Sequence, residues 1–163
     1  MTNKMINSAQ APAAVGPYSH SVLAGNTLYI SGQLGLDPQS GEMKTTVEEQ
    51  AKQAFINLGS ILKEVEMTYD NVVKTTVFLQ HMSDFSKINE IYGNYFSEVL
   101  PARSCVEVAK LPKDGLFEIE AVAVKGCQRI IFKMFLREKG LHSLLIKGNN
   151  PFRIKRRRKR SYE

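Results

Sequence analysis

The stretch "PARSCVEV", Pro101 to Val108, sets an arginine and a cysteine two residues apart. It reads as a β-strand, and strand side chains alternate faces with period two. Arg103, Cys105 and Glu107 therefore share one face, and Ser104, Val106 and Val108 share the other. The valine face reads as core. On the Arg103 face the available chemistry is anion binding, because a guanidinium offers a planar fork of donors suited to a carboxylate. A structural ion pair with Glu118 or Glu120 on a neighbouring strand is the alternative.

Glu118 and Glu120 alternate with Ile119 and Ala121, so both carboxylates lie on one face. An ionised carboxylate can hold and activate water as a general base; a solvated charge at a strand edge is the plainer reading. Cys105 has no partner for nucleophilic work. His20, His81 and His142 are scattered and form no nucleophile motif, so Cys105 reads as a small buried hydrophobe. No His/Cys pair has ligand spacing, so no metal is expected. The glycines of "GNTLYISGQLG" make neither GxGxxG nor a phosphate loop, so no cofactor is expected.

The elements that must position these residues follow from hydrophobic pattern. "APAAVGPYSH" is an irregular lead-in, broken by Pro12, Gly16 and Pro17. "SVLAGNTLYISGQ" reads as two strands around a tight Gly25-Asn26 turn. Thr46, three residues before Glu49, has capping-box spacing and starts a helix. Its apolar stripe, Val47 to Val65, carries the helix to about Met67. "NVVKTTVFLQ" is a mostly buried strand. Ser83 or Asp84 caps a second helix with Phe85, Ile88, Ile91, Tyr92, Tyr95, Phe96 and Val99 as its stripe, and Pro101 stops it. "ARSCVEVA" and "LFEIEAVAVK" complete an order β-β-α-β-α-β-β. This predicts an α+β fold, two helices on one face of a mostly antiparallel or mixed sheet. The other face is expected to carry Arg103, Cys105, Thr76, Phe78, Glu118, Glu120 and Val122. A half-apolar face of that kind is commonly buried against another subunit, so oligomerisation is expected.

Length and charge narrow the partners. The 163 residues suffice for one domain with a real core. No apolar run approaches the ~20 residues of a membrane helix. The N-terminus lacks the basic-then-apolar layout of a signal peptide, and two cysteines suggest no disulfide framework. The reading is a cytoplasmic protein. Its net charge of +6 is unevenly placed. Residues 1–126 hold 10 Lys and Arg against 14 Asp and Glu, net −4; residues 127–163 hold 12 against 2, net +10. Basicity is therefore no argument for nucleic-acid binding by the body.

Four segments, "APAAVGPYSH", "LYISGQLGLDPQSGE", "NVVKTTVFLQHMSDFSKINEIYGNYF" and "PARSCVEVAKLPKDGLFEIEAVAV", resemble the reactive intermediate deaminase family (Rid, also called YjgF), over roughly residues 4–125. The version here is similar to its RidA subgroup. The resemblance implies a chorismate-mutase-like α+β fold and a homotrimer with clefts between subunits. It implies hydrolysis of 2-imino acids, or of enamine tautomers such as 2-aminoacrylate and 2-aminocrotonate, to 2-keto acids and ammonia, without a cofactor. It also implies residue roles: Arg103 binds the substrate carboxylate, Glu118 positions water, and Cys105 lines the pocket without being a required nucleophile. Tyr18, Ser31, Gly32 and Asn89 fill other pocket positions.

The family pattern ends near Val124-Lys125, giving a domain at 1–126 and a basic extension at 127–163. The extension mixes a charge block with uncapped apolar runs, as a frameshift or readthrough product would. The functional alternative is a polybasic arm, "RIKRRRKR", that binds RNA or anionic lipid. Two other functions compete with deamination: an RNA-associated, endoribonuclease-like translation inhibitor, and a chaperone or small-molecule binder using the same cleft without turnover.

Overall fold

The first helix is set by its N-terminus. In the computed structural model, which describes residues 3–14, 16–97 and 99–126, the Thr46 hydroxyl accepts from the Glu49 N–H and the Glu49 carboxylate accepts from the Thr46 N–H. This capping box satisfies two donors that the first turn would otherwise leave open. Helix α1 runs Val47–Lys63, and its inward stripe of Ala51, Ala54, Phe55, Leu58, Ile61 and Leu62 is fully buried. It stops short of the expected Met67. Glu66 turns to φ 57°, its N–H donates to the Lys63 carbonyl, and the Met67 N–H donates to the Leu62 carbonyl. That left-handed closure keeps Val65 and Met67 buried without helix, which is why the apolar stripe outran the element.

Six strands make one mixed sheet: β1 (Lys4–Ile6), β2 (Ser21–Ala24), β3 (Thr27–Leu34), β4 (Val72–Leu79), β5 (Ala102–Glu107) and β6 (Phe117–Val124). Their order is β1-β2-β3-β6-β4-β5. Only β4 and β5 run parallel, joined by helix α2 (Phe85–Tyr95) as a crossover. The β2–β3 hairpin turns at Gly25-Asn26 as expected, with Gly25 at φ 62°. β1 is an addition to the expected order: three residues are too few for a periodic signal, and only Ile6 of them is buried. Helix α2 ends at Tyr95, ahead of Pro101.

Both helices lie on one face of the sheet, giving the α+β layering expected. Phe55 of α1 sits at the centre of the core. Its ring stacks on Tyr95 at 4.3 Å and meets Tyr92, Phe96 and Phe117 at 5.9–6.0 Å. Thr75, Val77 and Leu79 of β4 and Phe117, Ile119 and Ala121 of β6 face this core.

The strand β5 corrects the sequence reading. Register places Arg103 beside Thr75 and Cys105 beside Val77, so these two side chains point to the helix side. Cys105 packs against the core, whereas Val106 is 41 % exposed on the open side. The valine face is therefore not core, and Arg103 and Cys105 do not belong with Thr76, Phe78, Glu118, Glu120 and Val122. Alternation fixes which residues share a face but not which face a neighbouring element covers, and α2 covers the arginine side of this edge strand. No described helix is long and apolar enough to cross a membrane. The basic extension, 127–163, lies outside the described residues.

Candidate active site

The first group of site residues is built on an irregularity in β3. It pairs regularly with β6 from Thr27–Val124 to Ile30–Ala121, then resumes at Gln33–Ile119. One extra β3 residue makes a bulge at Ser31 and Gly32. The buried Gln33 amide donates to the Ser31 carbonyl at 3.0 Å and the Gly32 carbonyl at 3.2 Å, so the bulge is held from within. On its other side the Ser31 N–H donates to the His20 carbonyl (3.0 Å) and the Ser31 hydroxyl to the Ser19 carbonyl (2.9 Å). These bonds bring the "GPYS" segment alongside, with Tyr18, 50 % exposed, at the rim.

Glu118 lies against this bulge. A Cβ on Gly32 would collide with its Oε1 and stand 2.8 Å from its Cδ, so only glycine leaves room for the carboxylate where it is. Burial, and then the negative charge of Glu120, push the Glu118 carboxyl above its ordinary range. A carboxylate raised in this way is a stronger base than a free one. The bulge thus places a basic oxygen beside half-buried backbone on the open face. Nearby on that face a cavity of about 310 Å³ is lined by Tyr29, Ser31, Lys74, Thr76 and Glu120.

The second group is built on α2 and β5. The Arg103 guanidinium carbon lies 4.5 Å from the centre of the Tyr92 ring and 5.5 Å from that of Phe85. Phe85, Asn89 and Tyr92 are four and three residues apart, so all three share the helix face turned to Arg103. At the far end of β5, the Glu107 carboxylate accepts from the Met82 N–H at 2.5 Å and ties down the entry to α2. Burial raises the Cys105 thiol above its ordinary range, and the Arg103 charge offsets this only in part. A neutral thiol is a poor nucleophile.

The structure brings Ser31, Gly32 and Glu118 together, with Tyr18 next in the chain to Ser19, whose carbonyl accepts from the Ser31 hydroxyl; Arg103 and Cys105 lie apart from these on the helix side, with Asn89 on the α2 face that carries Tyr92. It does not bring the two groups together within one chain. Register through Thr75–Arg103 and Phe78–Glu118 sets Arg103 on the helix side and Glu118 on the open side, with β4 between their strands. The ion pair of Arg103 with Glu118 or Glu120 is thereby ruled out: β5 neighbours β4, not β6, and the side chains point apart. Among the described residues no carboxylate pairs with Arg103 and no acceptor takes its guanidinium hydrogens.

Sequence reasoning placed Tyr92 and Phe85 in the apolar stripe of α2 and passed over Thr75 and Gln33. The signal for Tyr92 was its phenol, which a purely apolar stripe does not need. Gln33, a polar residue in a buried strand, was the corresponding signal for the bulge.

A family model described as Endoribonuclease L-PSP matches residues 8–125. The chain belongs to that family. The resemblance to Rid (YjgF) proteins is borne out by this match. Among relatives of the L-PSP family, a 2-iminobutanoate/2-iminopropanoate deaminase of Bos taurus is 52 % identical over 127 residues, covering 77 % of this chain and 93 % of its own. A RutC family protein of Synechocystis is 55 % identical over 127 residues, covering 76 % and 98 %. The crystal structure of Escherichia coli TdcF with bound serine superposes with a TM-score of 0.73 at 40 % identity, over 76 % of this chain and 99 % of TdcF. The described residues thus have the L-PSP fold.

Proposed function

We propose that this protein is a 2-imino acid deaminase, converting small imines and their enamine tautomers, 2-aminoacrylate and 2-aminocrotonate, to 2-keto acids and ammonia. The observation that carries this reading is Arg103: a half-buried guanidinium, held on an aromatic face, with its hydrogen-bonding fork unspent among the described residues. Such a group suits one small anion, and a carboxylate matches the fork. The name of the bovine relative supports the same reaction.

In this reading Arg103 takes the substrate carboxylate and orients the imine. Glu118 removes a proton from water as the oxygen attacks the imine carbon. It returns that proton to the nitrogen, giving an amino alcohol; the hydroxyl proton then passes to the nitrogen as the C–N bond breaks, releasing ammonia and leaving the carbonyl. Imines already react with water, so orientation and one aligned water supply much of what is needed. Cys105, Asn89, Tyr18, Ser31 and Gly32 line the pocket.

One copy cannot supply both groups, because Arg103 and Glu118 face opposite ways and their strands are about 10 Å apart across β4. A four-carbon substrate does not reach between them. The site therefore needs two copies, one giving Arg103 and the next Glu118, and a closed ring of three is the arrangement we propose. The open face, with Tyr29 and Val106 exposed, is a surface another copy can cover. We place the protein in the cytoplasm.

The test is keto-acid formation in a coupled assay that generates 2-aminoacrylate. Wild type should accelerate it and Arg103→Ala should not. Arg103→Lys, which keeps the charge and loses the fork, should fall between. A folded, fully active Arg103→Ala protein overturns the proposal. The family description favours one other reading, RNA cleavage. Against it stand the net −4 of residues 1–126 and the neighbouring Glu118 and Glu120, which repel a phosphate backbone.

A further inference from the structure

An arginine on an edge strand has several rotatable bonds, and holding it in one pose costs side-chain freedom. Something must hold Arg103 if it is to receive a carboxylate in a fixed plane. The contacts around it form a closed circuit. Arg103 on β5 pairs in register with Thr75 on β4. Thr75 is fully buried, and its hydroxyl lies 2.8 Å from the Tyr92 hydroxyl. The Tyr92 ring then returns to Arg103, its centre 4.5 Å from the guanidinium carbon. The ring itself has little room to move: it is 6 % exposed and wedged between Phe96, at 4.6 Å, and Phe55, at 5.9 Å.

We propose that Tyr92 is a positioning residue for substrate binding: pinned to Thr75, its ring sets the height and tilt of the Arg103 guanidinium. This rests on the reading of Arg103 as the carboxylate binder. Two physical features support it. A guanidinium lying on an aromatic face keeps its N–H bonds directed outward at its edge, where a carboxylate can take two of them. Burial also raises the Tyr92 phenol, so it stays neutral beside the cation and keeps its hydrogen bond to Thr75. Phe85, at 5.5 Å, is a second and looser contact on the same guanidinium.

The probe is L-serine, a small carboxylate-bearing ligand, titrated by calorimetry into the full-length protein, alongside KM and kcat for the imine. Tyr92→Leu removes the ring. A cation–π contact contributes about 0.5–2 kcal/mol, so serine affinity should fall about 2- to 30-fold and KM rise in step, with kcat much less affected. Tyr92→Phe keeps the ring wedged by Phe55 and Phe96 but loses the Thr75 pin, so its serine affinity should fall between those of wild type and Tyr92→Leu. If Tyr92→Leu does not fold, Tyr92→Met, which fills more of the space without a π face, decides by the same readout. A purely structural tyrosine lowers the melting temperature of these variants but leaves serine affinity and KM of the folded protein unchanged; that result overturns the proposal. Arg103→Ala separates the two layers. If it binds serine like wild type, or if wild type binds none, the reading of Arg103 fails and the role of Tyr92 fails with it.

Discussion

Arg103 and Glu118 lie on opposite faces of one sheet, separated by strand β4. Both are half-buried, and each is held by its own device: a bulge containing Gly32 for Glu118, and an aromatic ring for Arg103. Neither residue stabilises the other within the chain. Two charged side chains aimed apart in this way are the ground for proposing a site that two copies complete.

Gly32→Ala tests the first device. The new Cβ would strike the end of the Glu118 side chain, which can swing away, so the fold should survive. The carboxylate would no longer sit at the bulge. A displacement of about 1 Å can cost ~100-fold in rate, so we expect kcat to fall about 10- to 100-fold with a smaller change in KM. Unchanged kcat in a folded variant would show that this placement does not matter.

Glu118→Gln should separate activity from stability. The folded-state carboxyl is raised above its ordinary 4.5 by burial and by Glu120. Between 4.5 and the raised value the folded chain keeps a proton that the unfolded chain has released, so stability falls as pH rises through that window. Glutamine removes the titration. The variant should melt higher than wild type at neutral pH, lose that pH dependence, and lose most of kcat. In wild type, activity should rise with pH as Glu118 ionises. A variant that melts lower at neutral pH would contradict the burial cost; one with normal kcat would remove Glu118 from the chemistry.

How the sequence anticipated these groups is uneven, and the reasons are local. Thr46 and Glu49 announced the start of α1, and Gly25-Asn26 the hairpin, because capping boxes and tight turns are written in a few adjacent residues. Which residues share a face of β5 was equally plain. Which face the helices cover was not, because that depends on where α2 docks, and Val106 and Cys105 are both apolar enough to pass for core. The bulge at Ser31-Gly32 was invisible to periodicity; Gly32 entered only through family resemblance. Tyr92 was hidden by its own dual nature, an apolar ring in an apolar stripe with a polar tip. The separation of Arg103 from Glu118 needed the strand order, which places β6 between β3 and β4 and no pattern of residues states.

Cys105→Ser should keep most activity. The thiol is raised by burial, Arg103 offsets this only in part, and among the described residues no hydrogen bond joins it to a base. A loss of about a thousandfold, or ~4 kcal/mol in the barrier, in a folded variant would mean that the thiol takes part in the chemistry.

The most direct test of the account mixes two dead subunits. Arg103→Ala and Glu118→Gln should each be inactive alone. Unfolded together and refolded at equal concentration, they should form mixed oligomers. If each site draws Arg103 from one copy and Glu118 from its neighbour, random mixing rebuilds about a quarter of the sites with both residues intact, and deaminase activity should return to about that fraction of wild type. No recovery in oligomers shown to contain both variants would contradict a site shared between two copies.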